Sequence, residues 1–107
     1  TLAALPHMQQ QGWGRIINVV SLTVREPVAH LALSNTVRAS IIAWGKTLSN
    51  EVAAQGITVN NILTGYFDTE RLRSLMEGQA AAARKPVADI KASMIERIPA
   101  KRLGRPA

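Results

Sequence analysis

The sequence has no cysteine, so disulfides and thiolate metal sites are excluded, and the chain suits a reducing compartment. Aromatic residues are scarce: Trp13, Trp44, Tyr66 and Phe67 make up 4% of the chain. Long apolar runs are missing as well. No stretch approaches the roughly 18 consecutive apolar residues of a spanning helix, so no membrane association is expected. No basic stretch followed by an apolar one marks a secretory signal, and the chain opens at Thr1 without an initiator methionine. The expected location is cytoplasmic. Two histidines, His7 and His30, lie far apart with no carboxylate pair near either, which gives no ligand spacing for a metal.

What is present is a chain of 107 residues that is 47% hydrophobic, enough for one domain with its own core and too short for two. The net charge of +6 is unevenly spread. Nine of the thirteen basic residues fall from Arg71 onward, against three acids, Glu77, Asp89 and Glu96. Such a tail suits solvated helix faces or an anionic substrate carrier. No ring interleaves with these charges, whereas single-strand binders stack bases on aromatic side chains, so no nucleic acid partner is expected.

The chain is organised around Ser21 to Arg38. Before it, Leu5 and Met8 lie at helical spacing, Pro6 suits a first turn, and Gly12-Trp13-Gly14 stops the helix. Arg15 to Ser21 carries four β-branched residues without strict alternation, the pattern of a strand in a parallel sheet covered on both faces. Ligands of open parallel sheets bind beyond the carboxyl ends of strands, and Ser21 stands at such an end. Leu22 to His30, with Pro27 and no period, reads as a loop. Leu33, Val37, Ile41, Trp44, Leu48 and Val52 then form one apolar stripe of a helix from about Leu33 to Gln55, closed by Gly56. Gly45, inside that helix, implies a packing reason, because mid-helix glycine costs on the order of 1 kcal/mol relative to alanine.

Ile57 to Leu63 reads as a second strand, joined to the first by a right-handed crossover. The turn Thr64 to Thr69 then falls on the same sheet edge as Ser21. Two helices follow, roughly Thr69 to Gln79 and Pro86 to Arg97, separated by the alanine run Gln79 to Ala83 and Arg84-Lys85-Pro86. Pro99 to Ala107 reads as a basic loop.

Strand, serine, thirteen positions, then a residue four before a cation on a long helix: this layout resembles the short-chain dehydrogenase/reductase family over essentially the whole chain. Gly14 to Ser21 resembles the family's fifth strand with its catalytic serine, and Gly56 to Asn60 its sixth. Thr64-Gly65-Tyr66-Phe67-Asp68-Thr69 is similar to the Pro-Gly-x-x-x-Thr loop at the nicotinamide end of the cofactor, with Thr64 in place of proline. Arg102-Leu103-Gly104-Arg105-Pro106 is similar to the family's Arg-Leu-Gly-x-Pro stretch. Ser34-Asn35-x-x-Arg38 resembles a divergent group near the 3-oxoacyl-carrier-protein reductases that has an imperfect catalytic tetrad.

The resemblance implies an α/β fold, a Rossmann-like doubly wound parallel sheet. Only an internal fragment is expected here: helix, strand, long helix, strand, two helices. Residues 1–107 would be one partial domain, the C-terminal half of an NAD(P)-binding domain without its Gly-rich half or its last strand. NAD or NADP is the implied cofactor, and a small-molecule or acyl-carrier-bound carbonyl the implied substrate. The opening and long helices correspond to the family's intersubunit bundle, which implies a homo-oligomer.

In the family, serine hydrogen-bonds the substrate oxygen, tyrosine moves the proton, and lysine binds ribose and tunes the tyrosine. Carried over, Ser21 is the serine, Ser34 stands in the tyrosine position and Arg38 in the lysine position. Arg38, Thr64, Gly65, Tyr66 and Thr69 are the implied cofactor contacts. The departures matter chemically. An aliphatic hydroxyl is a far weaker acid than a phenol near pKa ~10, and a guanidinium holds ribose hydroxyls or phosphate but stays protonated. His30, on the loop beside the implied site, has a suitable pKa range for proton transfer or is a solvent-facing loop residue. Two functions remain open: an NAD(P)-dependent oxidoreductase, or a catalytically impaired nucleotide-binding or scaffolding homologue. These residues alone are expected to be inactive and to bind dinucleotide weakly.

Overall fold

A computed structural model describes all 107 residues. They form two compact units, Thr1–Thr64 and Gly65–Ala107.

In the first unit, helix α1 (Leu5–Gln11) begins with Pro6 in its first turn, where a missing N–H costs nothing, and ends at Gly12 in the left-handed conformation. Strand β1 (Gly14–Val19) and strand β2 (Ile57–Ile62) are parallel neighbours, in register from Gly14 opposite Ile57 to Val19 opposite Ile62. Between them runs helix α2 (Ala32–Val52), followed by a 3₁₀ turn over Ala53–Gln55. The two expected strands and the long helix are therefore present, within a residue or two at each end except that the last three expected residues of the helix form the 3₁₀ turn. The loop after β1 contains one 3₁₀ turn, Leu22–Val24.

Gly56 closes the path into β2. Its φ is +74°, and a Cβ there would run into the Gly12 carbonyl oxygen, so both conformation and proximity demand glycine. Arg15 reinforces this end of the sheet. Its Nη1 donates to the Gly56 carbonyl at 3.1 Å, and its guanidinium lies 5.2 Å from the Trp13 ring centre.

Leu48, Val52 and Ile57 form the core of this unit, with Leu5, Met8, Ile16 and Val59 packed against them. Only the last turns of the α2 stripe are buried. Leu33 at its start is 80% exposed and Val37 55%. The strands are likewise covered on one face. Ile16 and Val20 turn inward, while Ile17 and Val19 are 58% and 68% exposed. Successive strand residues point to opposite faces, and the helices of this chain pack on only one of them.

In the second unit, helix α3 (Glu70–Ala83) is capped by Thr69, whose hydroxyl accepts from the Leu72 N–H at 3.2 Å. The alanine run belongs to α3, contrary to the expectation that it separates two helices. Alanine is the best helix former, and the chain turns only at Arg84, with φ +52°. Helix α4 (Val87–Glu96) follows. Leu72, Met76 and Leu103 are the buried centre, with Tyr66, Ile90 and Met94 among the side chains packed on them. The basic end is thus more than a loop. Leu103 is core, and Phe67 and Gly104 form a parallel bridge.

Candidate functional site

Backbone bonds extend past the last paired residues of the sheet. Val20 N–H donates to the Ile62 carbonyl and Leu22 N–H to the Thr64 carbonyl, both at 2.9 Å. Ser21 sits between these two anchors. Thr64 adds a third tie, its hydroxyl donating to the Val20 carbonyl at 2.8 Å. Ser21 and Thr64 therefore share one end of the sheet, and the Thr64 proton serves to hold the strand ends together.

The Ser21 side chain is oriented by Thr23, a residue the sequence reading overlooked. Both the backbone N–H and the hydroxyl of Thr23 donate to Ser21 Oγ, each at 3.2 Å. A serine hydroxyl has two acceptor lone pairs and one proton. With both lone pairs engaged, the proton remains for an outside acceptor. The Ser-x-Thr spacing, typical of a serine-led turn, was the available signal.

Ser34 and Arg38 face each other one turn apart on α2, Arg38 Nε donating to Ser34 Oγ at 3.3 Å. Both line a cavity of about 690 Å³ together with Leu33, Val37, Ile41 and residues 17–20 of the strand end. No carboxylate is in that lining. Because Nε is spent on Ser34, the two Nη groups of Arg38 are the donors left for a ligand. Val20, the residue before Ser21, is part of the wall, whereas Ser21 and His30 are not. His30 is exposed and holds a left-handed backbone with φ +64° in the turn before α2. Asn35 fastens that loop to the helix, Nδ2 donating to the Val28 carbonyl at 3.3 Å, while its Oδ1 is buried without a partner.

The remaining implied cofactor contacts lie in the second unit. Gly65 is exposed. Tyr66 packs on the Leu72–Met76–Leu103 cluster, and its carbonyl accepts from the Gly104 N–H at 2.9 Å. Thr69 is engaged as the cap of α3. Nearby, Arg73 Nε donates to Asp68 at 3.0 Å, and this hydrogen bond holds the Asp68 carboxyl below its ordinary range.

The profile of the short chain dehydrogenase family matches residues 1–80. The chain belongs to the short-chain dehydrogenase family. Among curated relatives, it is 35% identical over 101 residues to nodulation protein G of Azospirillum brasilense, covering 94% of this chain and 37% of that protein. It is 33% identical over 107 residues to a 3-oxoacyl-[acyl-carrier-protein] reductase of Mycobacterium avium, covering 100% of this chain and 38% of that one. The chain thus spans less than two fifths of the relatives it matches. Among solved structures, an NAD+-bound xylitol dehydrogenase superposes with a TM-score of 0.84 at 27% identity, over 97% of this chain and 42% of that one. An actinorhodin polyketide ketoreductase with NADPH gives 0.80 at 26% identity, over 92% and 38%. The parallel pair with its helices is accordingly part of a Rossmann-type fold of this family.

Proposed function

We propose that this chain is the substrate-side portion of an NAD(P)-dependent oxidoreductase that interconverts a carbonyl and an alcohol, with a 3-oxoacyl group as the substrate class. The observation that carries this reading is the Ser21 hydroxyl. It stands at the carboxyl end of β1 and its oxygen accepts from the Thr23 N–H and hydroxyl, which leaves its own proton available for an acceptor such as a substrate carbonyl oxygen. That hydrogen bond strengthens as the oxygen gains negative charge during reduction, which is the differential binding catalysis needs.

The donors present fit a dinucleotide. The two Nη groups of Arg38 suit ribose hydroxyls or a phosphate, and the lining carries no carboxylate to repel either. When bound, the nicotinamide supplies or accepts the hydride. Thr64, Gly65, Tyr66 and Thr69 belong to the segment that, by family likeness, borders the nicotinamide. In this role Thr64 acts through the strand ends that it ties together. Self-association through α1 and α2 is part of the same reading and is tested by sedimentation, a monodisperse monomer counting against it.

A second reading has its own observation. Ser34 occupies the proton-transfer position, and its oxygen accepts from Arg38 Nε. An aliphatic hydroxyl beside a permanent cation is a poor general acid at neutral pH. The protein is then a nucleotide-binding or scaffolding member with little turnover. Replacing Ser34 by Tyr and Arg38 by Lys together in the full-length protein separates the two. If the acid alone is missing, NAD(P)H-dependent reduction of a 3-oxoacyl thioester rises by about 10²-fold or more, the usual worth of general acid catalysis. If the unaltered protein already turns over and the double variant gains nothing, the proton comes from another source. Absence of turnover in both, with nucleotide still bound, supports the scaffolding reading.

A further inference from the structure

Under the middle of α2 the sheet carries a pair of amides. Asn18 and Asn61 occupy paired register positions on β1 and β2, and Asn18 Nδ2 donates to Asn61 Oδ1 at 3.0 Å. Gly45 of α2 is buried directly above them. A Cβ on Gly45 would lie 3.1 Å from Asn18 Nδ2 and 3.3 Å from Asn61 Oδ1, tighter than side chains normally approach. Glycine is the poorest helix former after proline, and its presence here is explained by the room it gives the amides. Asn18 also lines the cavity that holds Ser34 and Arg38, while Asn61 lines a second cavity of about 550 Å³ on the other flank of α2. The amide pair thus borders both, one residue on each.

We propose that Asn18, Asn61 and Gly45 are positioning residues: the amide bridge and the glycine together set how closely α2 sits on the sheet, and so where Ser34 and Arg38 stand relative to the end of β1. The hydrogen bond joins the two strands side chain to side chain, in addition to their backbone ladder. At Gly45 the helix meets that bridge through backbone, so a group added there has to be absorbed by the two bonded amides or by the helix itself. A shift at Gly45 is carried along a rigid helix to Arg38, two turns nearer its start. A wrong spacing misplaces the guanidinium and, because Leu48 and Val52 stand on the same helix, also loosens their packing on Ile57.

The proposal deepens the nucleotide-binding reading, and its test is built so that the two fail separately. The variants are Asn61→Leu, which keeps bulk and loses the hydrogen bond; Asn61→Asp, which keeps an acceptor in the same place; Gly45→Ala; and Gly45→Ala with Asn61→Ala. Spin labels on cysteines introduced at Thr36 on α2 and Thr58 on β2, both exposed, report the helix-to-sheet distance by pulsed electron resonance in the full-length protein. NADPH affinity is measured in parallel by its fluorescence. Asn61→Leu and Gly45→Ala are expected to shift or broaden the label distance and to weaken NADPH by about fivefold, the scale of one lost hydrogen bond. Asn61→Asp, which keeps the acceptor, is expected to hold both near the unaltered values, and the double variant, which makes room under the added methyl, to bring the label distance closer to the unaltered one than Gly45→Ala does alone. An unchanged label distance in Asn61→Leu and Gly45→Ala, or effects that simply add in the double variant, overturns the proposal. If the unaltered protein binds neither NADH nor NADPH, the proposed function fails, while the label distances still decide the positioning role.

Discussion

Between Thr1 and Thr64 the apolar side chains meet across long stretches of chain, whereas between Gly65 and Ala107 they meet mostly between adjacent helices. Asn18 and Asn61, bonded across the sheet, are 43 positions apart. In the second unit α3 packs on the α4 that follows it, and only Leu103 returns from the end of the chain to complete the cluster. The first arrangement ties its strand ends together by hydrogen bonds where chemistry is expected and leaves apolar surface open, as at Leu33 and Val19. The second closes a small core around a few methionines and leucines and holds the turn from Gly65 to Thr69 by capping and a single bridge.

The sharpest way to break this contrast is to empty each core in turn. Ile57 is 1% exposed and sits where β2 begins under α2. Ile57→Ala is expected to destabilise by about 2 to 5 kcal/mol, through lost burial plus the cavity left behind. The loss should appear in hydrogen exchange as faster opening of β1 and β2. Leu103→Ala, in a segment without regular structure and 8% exposed, is expected toward the lower end of the same range, ~2 kcal/mol. Its exchange signature belongs in α3 and α4. Equal responses of all four helices to both variants would show that the division into two kinds of core has no energetic meaning.

A smaller effect separates structure from binding at Thr69. Thr69→Ala removes the cap of α3 and is expected to cost about 1 kcal/mol, while Thr69→Asp keeps the cap. If Thr69 also touches the nicotinamide end of a cofactor, Thr69→Asp weakens nucleotide binding at unchanged thermal stability. If capping is its whole task, binding follows stability in both variants.

How much of this the sequence disclosed depends on how local the signal was. β1, β2 and α2 were legible because β-branched runs and a three-and-four stripe are strong periodic signals, and because Gly56 marks the turn between them. The stripe showed that α2 has an apolar face but could not show what covers it. Leu33 and Leu48 read alike and end at 80% and 6% exposure. The alanine run misled because small residues between Gln79 and Arg84 look like a spacer, while their intrinsic preference is helical. Leu103 gave no local cue at all, since its burial is decided by a partner cluster thirty residues earlier, at Leu72 and Met76. At the site, Ser21 and the Ser34–Arg38 spacing were readable. The Thr23 anchor needed the turn geometry, and the Asn18–Asn61 bridge needed the strand register.

The smallest expected effect concerns the entry to α3, where an exposed ion pair adds to the cap and the bridge. Arg73 Nε donates to Asp68 at 3.0 Å, and that bond lowers the Asp68 pKa from its ordinary value. A carboxyl whose folded pKa is depressed contributes stability that is fully present above its unfolded pKa, about 3.9, and is lost as pH falls through the lower folded value. Acid titration of the full chain should therefore show a slight loss confined to pH below about 4, absent in Asp68→Asn. Both partners are exposed, with side chains 60% and 36% accessible, so water and salt screen the pair and the difference should fade in high salt. A large acid effect at this position, or one that persists in high salt, would mean that the turn from Gly65 to Thr69 is held by a buried interaction and that the second unit resembles the first more closely than its packing indicates.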